Sequence, residues 1–190
     1  MHPLEKFKYC PSCGSNHFEE NNFKSKKCAQ CGFTYYANPC SATVAFILRT
    51  VGDGTTGGER TELLVATRAK EPAKGTLDLV GGFVDMDETA EEGLLREIKE
   101  ETGLSVDNYE YVFSIPNRYA YSGMTIHTLD MFFIVRVKAD VMPKADDDVA
   151  RLEWMPVADV DNRLFGLHSI SLGVRRFVES FCKHESVVSQ

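Results

Sequence analysis

Between Glu88 and Glu101 the chain carries six glutamates, and only Arg96 and Lys99 stand against them. With Glu97 at zero on a helical wheel of about 100° per residue, Glu101 falls at about +40° and Glu100 at about −60°. Leu94, Ile98 and Leu95 fall at about +60°, +100° and +160°, so the three acids run along one edge of the apolar stripe. A solvated acidic face laced with salt bridges is the plain reading. Like charges one turn apart repel, however, so their crowding beside an apolar stripe calls for a positive partner. Hard divalent cations supply it, because Mg²⁺ takes carboxylates together with substrate phosphates and water. Gly93 interrupts the acidic arc one turn before Glu97, a position where glycine costs about 1 kcal/mol against alanine. Space is wanted there for a loop or a ligand.

A second set of residues has metal spacing. Cys10-Pro-Ser-Cys13 and Cys28-Ala-Gln-Cys31 are two CxxC pairs, each followed by a glycine, Gly14 and Gly32, that permits a tight turn. Without an export signal, such pairs read as metal ligands rather than disulfides. Four thiolates close a tetrahedral site and leave no place for water, so zinc held by Cys10, Cys13, Cys28 and Cys31 is structural. Lys24, Lys26 and Lys27 give this module a small basic patch, offset by Glu19 and Glu20. Cys40 and Cys182 read as ordinary thiols.

The stretch from Gly82 to Leu104 resembles the Nudix box: Gly, five residues, Glu, seven residues, then Arg-Glu-aliphatic-any-Glu-Glu-any-Gly-aliphatic. Gly82, Glu88, Arg96, Glu97, Ile98, Glu100, Glu101, Gly103 and Leu104 fill every fixed position. The resemblance implies an α/β fold, a mixed β-sheet sandwiched between helices, and hydrolysis of a nucleoside diphosphate linked to another group with Mg²⁺ or Mn²⁺. It also implies roles. Glu97, Glu100 and Glu101 would hold the metal, joined by the carbonyl of Gly82. Arg96 would orient the glutamates, and Glu88 would support them. Glu97 is the first choice for the base that activates water, although some members take that base from a downstream loop. Glu153, in Leu-Glu-Trp before a proline, reads as structural.

A zinc ribbon before such a domain resembles the NADH pyrophosphatase subfamily, which carries a second signature, S-Q-P-W-P-F-P-x-S. Ser114, Pro116 and Ser122 agree with it, and Tyr119 replaces the Phe. The Gln, the Trp and two prolines are gone, so the architecture is kept while the substrate signature has drifted, and NADH is one expected dinucleotide among several substrates. Tyr119 and Tyr121 are candidates to stack on a base or to pack a hairpin. Arg118 and Arg68 are candidates for phosphate, and His127 is assigned no role. The expected substrate is a small nucleoside diphosphate derivative such as a dinucleotide, ADP-ribose or a nucleotide sugar. A triphosphate-sanitising pyrophosphatase and a silent binding module are the alternatives, and retention of every box glutamate speaks against the latter. The resemblance further implies a homodimer.

The elements that must position these residues follow from pattern. Thr89-Ala-Glu-Glu92 has the form of a capping box and Gly103 that of a left-handed stop, so a helix is predicted from about Ala90 to Thr102. Strands are predicted over 41–49, 62–68, 76–80, 109–116, 125–138 and 151–156, with a Gly/Thr-rich connection after the first and an acidic loop over 144–150. A helix over 167–183 places Ile170, Val174, Phe177, Val178 and Phe181 on one side. The predicted domains are a zinc ribbon at 1–36 and a Nudix domain at 41–184, joined by a short linker. The 190 residues suffice for both, and 43% hydrophobic and 26% charged content is that of a globular chain. There is no run of about 18 apolar residues and no apolar signal core, so a cytoplasmic protein without a membrane span is expected. The net charge of −7 argues against general nucleic-acid binding without excluding a local basic pocket.

Overall fold

The computed structural model describes residues 2–145 and 149–188, with side chains described through Cys182. Residues 146–148, the centre of the predicted acidic loop, lie outside the described residues. Contacts divide the chain into two compact units: one of Met1–Cys40 with Arg118–Thr128, the other of Ser41–Asn117 with Leu129–Gln190.

The first unit is built on a three-stranded antiparallel sheet, β1 (Phe18–Asn22), β2 (Ser25–Cys28) and β3 (Thr34–Tyr36), in sequence order. Its buried apolar cluster is small: Cys10, Phe18 and Cys28, with Phe7 packed against them. The tip of a long hairpin belongs to this unit as well, and Lys6 Nζ donates to the Gly123 carbonyl at the hairpin turn.

The second unit holds a six-stranded sheet of β4 (Cys40–Gly52), β5 (Glu59–Arg68), β6 (Leu77–Asp78), β7 (Tyr109–Tyr121), β8 (Met124–Arg136) and β9 (Val149–Pro156). Its order is β6-β5-β4-β8-β7, with β9 also paired to β5. Helices α1 (Ala90–Thr102) and α2 (His168–Val188) cover it. The central strand β4 shows why the sheet lies between helices. Successive residues of a strand point to opposite faces. Val44, Phe46 and Leu48 enter one cluster with Ile170, Val174 and Phe177 of α2. Ala45 and Ile47 enter another with Leu94 and Ile98 of α1. A strand buried on both faces reads as an unbroken apolar run, which is what VAFIL is. The α/β/α sandwich expected from the box is therefore the observed fold. Among the described residues no helix is long and apolar enough to cross a membrane.

Two strands differ from the sequence reading, and two short helical turns add to it. The strand expected over 76–80 has only two residues, because the chain leaves β5 and runs beside the start of β4 instead. There Ala45 N donates to Val80 O, Thr43 N to Gly82 O and Val84 N to Ser41 O. The strand expected to stop at Pro116 continues to Tyr121, Pro116 itself being exposed. Two 3-10 turns, Val157–Asp159 and Asn162–Leu164, precede α2 and had no periodic signal to reveal them.

Candidate functional site

Helix α1 begins and ends as its sequence demands. The Thr89 hydroxyl accepts from the Glu92 amide, and the Glu92 carboxylate accepts from the Thr89 amide. Gly103 ends the helix in the left-handed region at φ 71°. Leu94 and Ile98 are fully buried and fix the helix's rotation on the sheet. Burial of side chains this size stabilises by roughly 1.5–3 kcal/mol each. With that face fixed, the acids lie where the wheel puts them. Glu101 is buried, Glu97 half-buried and Glu100 exposed.

Arg96 is the hub of the group. Its Nε and Nη2 bind the two oxygens of Glu88, each at 2.9 Å. Its Nη1 donates to Glu97 at 2.8 Å and to Glu100 at 3.1 Å, and Nη2 also reaches the Phe83 carbonyl at 2.9 Å. A guanidinium suits this task because its donors form a rigid planar fork. Glu88 first, then Glu97 and Glu100, hold the Arg96 pKa well above its ordinary value. Donation from Arg96, and next from the Asp85 amide, holds the Glu88 carboxyl below the usual range. Glu88 is thus a brace between helix and loop that is charged at neutral pH.

The loop meets the helix through two glycines. Gly81 has φ 151°, and a Cβ there would stand 2.1 Å from the Thr43 carbonyl oxygen. A Cβ on Gly82 would stand 2.4 Å from Glu97 Oε1. The Gly81 amide donates to Glu101 Oε2 at 3.1 Å, a contact that only the Gly-Gly pair hinted at. Gly93 leaves its room to the loop: a Cβ there would meet Glu88 Oε2 at 3.1 Å and Val84 Cγ2 at 3.3 Å. The Gly82 carbonyl accepts from the Thr43 amide and keeps a second lone pair. Three carboxylates hydrogen-bonded to one guanidinium, with Glu101 a further acid of the same helix, leave an excess of negative charge among hard oxygen donors, which suits a divalent cation.

The four cysteines gather differently. Among the described residues they are the group of potential ligands whose atoms all lie within 4.8 Å of one another; the helix carboxylates are spread more widely. Cys10 and Cys31 sulfurs are 3.7 Å apart, as are those of Cys13 and Cys28. Metal–sulfur bonds of about 2.3 Å give tetrahedral edges of about 3.8 Å, so the cluster has the size of a four-thiolate metal site. The Cys31 amide donates to the Cys28 sulfur, and that donation brings the Cys28 thiol down to about 6. Cys13 goes up to about 12. A hydrogen bond with the Ser15 backbone pulls it down, but the Cys31 thiol, burial and the other two thiols outweigh that pull. Four thiolates so close together need a cation to ionise together.

The remaining candidates are dispersed. Arg68 pairs with Asp78 and donates from Nε to the Pro72 carbonyl at 2.7 Å. Burial pushes the Asp78 carboxyl up, against the pull of Arg68 and the Leu79 amide. Arg118 and Tyr119 belong to the first unit, whereas α1 belongs to the second. Tyr119 stacks on Tyr121 with ring centroids 6.3 Å apart. Glu153 pairs with Arg151 at 2.8 Å. Its neighbours Leu152 and Trp154 pack into the α1 cluster, so strand alternation turns Glu153 to the other face.

Comparison with known proteins agrees with this geometry. The chain is 28% identical over 152 residues to the NAD-capped RNA hydrolase NudC of Deinococcus radiodurans, covering 80% of this chain and 50% of that protein. It is 24% identical over 161 residues to the protein of that name from Vibrio atlanticus, covering 84% and 53%. The chain spans about half the length of the curated relatives it matches. The NUDIX domain of Shewanella oneidensis NrtR, solved with ADP ribose, superposes with a TM-score of 0.60 at 19% identity, covering 77% of this chain and 90% of that one. A NUDIX hydrolase from Nitrosomonas europaea superposes at 0.59 and 19%, covering 90% of each chain. These structural likenesses establish the fold. The NUDIX domain profile matches residues 45–176, well over half of the sequence. With the Arg96-centred glutamates in place on α1, the chain belongs to the Nudix family.

Proposed function

We propose that the chain is a divalent-cation-dependent pyrophosphohydrolase that splits a nucleoside diphosphate derivative, a dinucleotide first among them, to a nucleoside monophosphate. The observation that carries this reading is the Arg96 hub, which holds Glu97 and Glu100 at one helix edge while the Gly81 amide holds Glu101. Glu97, Glu100, Glu101 and the Gly82 carbonyl would hold Mg²⁺ or Mn²⁺. A cation held there would neutralise the diphosphate and make water easier to deprotonate. The chain's own groups do the rest. Arg96 and Glu88 keep the carboxylates aimed. Glu97, pressed against Gly82, is placed to take the proton from an attacking water. Glu153 faces away from α1, so we favour Glu97 as base. The pairing of Arg68 with Asp78 supports a structural role at the corner between β5 and β6, which we favour over contact with a phosphate. NudC, an NAD-capped RNA hydrolase by name, and the NrtR domain solved with ADP ribose support a nucleoside diphosphate derivative as the substrate class. We further propose that the four-cysteine cluster holds zinc, and that the protein is a cytoplasmic homodimer.

The test is a Mg²⁺-dependent hydrolysis panel of NADH, NAD, ADP-ribose, sugar nucleotides, dinucleoside polyphosphates and oxidised triphosphates, with products separated by chromatography. The expected result is a nucleoside monophosphate from a diphosphate-linked compound. Pyrophosphate released from a triphosphate would move the reading to nucleotide sanitation. No turnover with any divalent metal would overturn it.

A further inference from the structure

The chain is acidic overall, at −7, yet the first unit contains an open cleft of the opposite character. Its volume is about 1110 Å³, just above the roughly 300–1,000 Å³ that small-ligand pockets span. Lys6, Lys24 and Arg118 line it against the single acid Glu5, and His2 and His127 add two imidazoles. Two large aromatic rings stand in the same wall. Phe23, at the β1–β2 turn, is 82% exposed, and Tyr121, on the hairpin tip, is 56% exposed. An exposed Phe at a turn gains nothing from packing, and a ring set among cations is the arrangement that receives a flat, anionic ligand.

We infer that this cleft binds single-stranded nucleic acid, with Lys24, Lys6 and Arg118 following the phosphates and Phe23 and Tyr121 stacking on bases. The volume exceeds what one nucleoside needs, and the cleft is open, so a chain can pass through it. A basic groove interleaved with aromatic rings is how proteins hold single strands without reading their sequence. An acidic peptide would satisfy the cations but leave the rings unused. The cleft is assembled from parts distant in sequence: the N-terminal segment, the β1–β2 turn and the hairpin tip, with Lys6 Nζ bound to the Gly123 carbonyl. Lys24 lies 6.0 Å from the Tyr36 ring centroid, which holds its ammonium near the aromatic surface.

The inference stands apart from the hydrolase reading, because it is read as binding and not as turnover. The experiment uses the full-length, zinc-loaded protein and a fluorescent ten-residue oligoadenylate, as RNA and as DNA, in anisotropy titrations at two salt concentrations. Phe23→Ala is expected to weaken binding roughly five-fold or more. Lys24→Ala is expected to lower the slope of log affinity against log salt by about 1. Neither residue belongs to the catalytic helix, so hydrolysis of a small substrate by both variants stays at the wild-type rate, which also certifies their folding. Tighter binding of RNA or of DNA names the source of the strand. The inference is overturned if the protein binds neither oligonucleotide, if polyglutamate competes as well as the oligonucleotide does, or if Phe23→Ala leaves the affinity unchanged.

Discussion

At the scale of single residues the site depends on one cation inside a ring of acids. Arg96 does not need to touch substrate to matter, because Glu88, Glu97 and Glu100 all take their orientation from it. Arg96→Met is therefore expected to cost roughly 10–100-fold in metal affinity or activity, the usual effect of losing a residue that aims metal ligands. A Mg²⁺ titration of the hydrolysis rate measures it. Arg96→Lys is expected to recover little, since a single ammonium cannot form the fork that binds Glu88. The same pair has a pH signature. The folded-state pKa of Glu88 is depressed, so its contribution to stability is present above the unfolded value of about 4.3 and is lost as pH falls through the lower folded value. The melting temperature of the wild type is expected to drop over that acid range, and Glu88→Gln to flatten the drop. An equal drop in both proteins would show that the pair does not carry it. Helical spacing in the sequence gathers Glu97, Glu100 and Glu101 on one arc with Arg96 a turn from Glu100, whereas the bracing roles of Arg96 and Glu88 are what the resemblance to the Nudix box implies. The sequence did not disclose the Gly81 amide on Glu101, since a backbone donor has no residue type to read.

Elements were legible where a local signal brackets them and illegible where partners are distant. Helix α1 spans Ala90–Thr102 as predicted because both of its ends are written in side chains, Thr89 with Glu92 at one and Gly103 at the other. The segment after β6 was read as strand because Leu79 and Val80 are apolar. What decides its path is β4, whose backbone it joins through Thr43 and Ala45, and no local window contains both. That path explains the two glycines and makes them separable. At Gly82 the obstacle to a Cβ is the end of the Glu97 side chain; at Gly81 it is the Thr43 backbone. A carboxylate can swing aside, whereas a strand cannot. Gly82→Ala is therefore expected to fold with a melting temperature within about 3 °C of wild type, a shift worth less than roughly 1 kcal/mol, and to lose at least about ten-fold in rate because Glu97 is displaced. Gly81→Ala is expected to be destabilised outright. Thermal melts beside rate measurements on the two variants distinguish these outcomes, and equal melting temperatures would refute the account of the loop.

At the scale of the whole molecule, net charge and sequence order both mislead. A value of −7 averages the acidic helix α1 with a basic cleft, and the first unit recruits Arg118–Thr128 from a hairpin that sequence order assigns elsewhere. The proposed metal at the four cysteines has a reason in the core of this unit. Three buried residues, two of them cysteines, form its cluster, far too little apolar area to offset the ordering of some fifty residues, at about 1–2 kcal/mol of backbone entropy each. Sulfurs therefore stand where a larger unit would have leucines, and on the zinc proposal binding of the ion would supply the folding energy of the module. The second unit draws on two separate clusters of its own. Stripping metal with a thiol-selective chelator, or Cys28→Ser, is then expected to raise amide hydrogen exchange throughout β1–β3 and the hairpin tip. Exchange in β4, β5 and α1 is expected to stay near its wild-type rate. Protection lost together in both units would mean that they fold as one, and unchanged protection in β1–β3 would mean that the cysteines hold the module without an ion. Either result is read from a single mass-spectrometric time course on the intact chain.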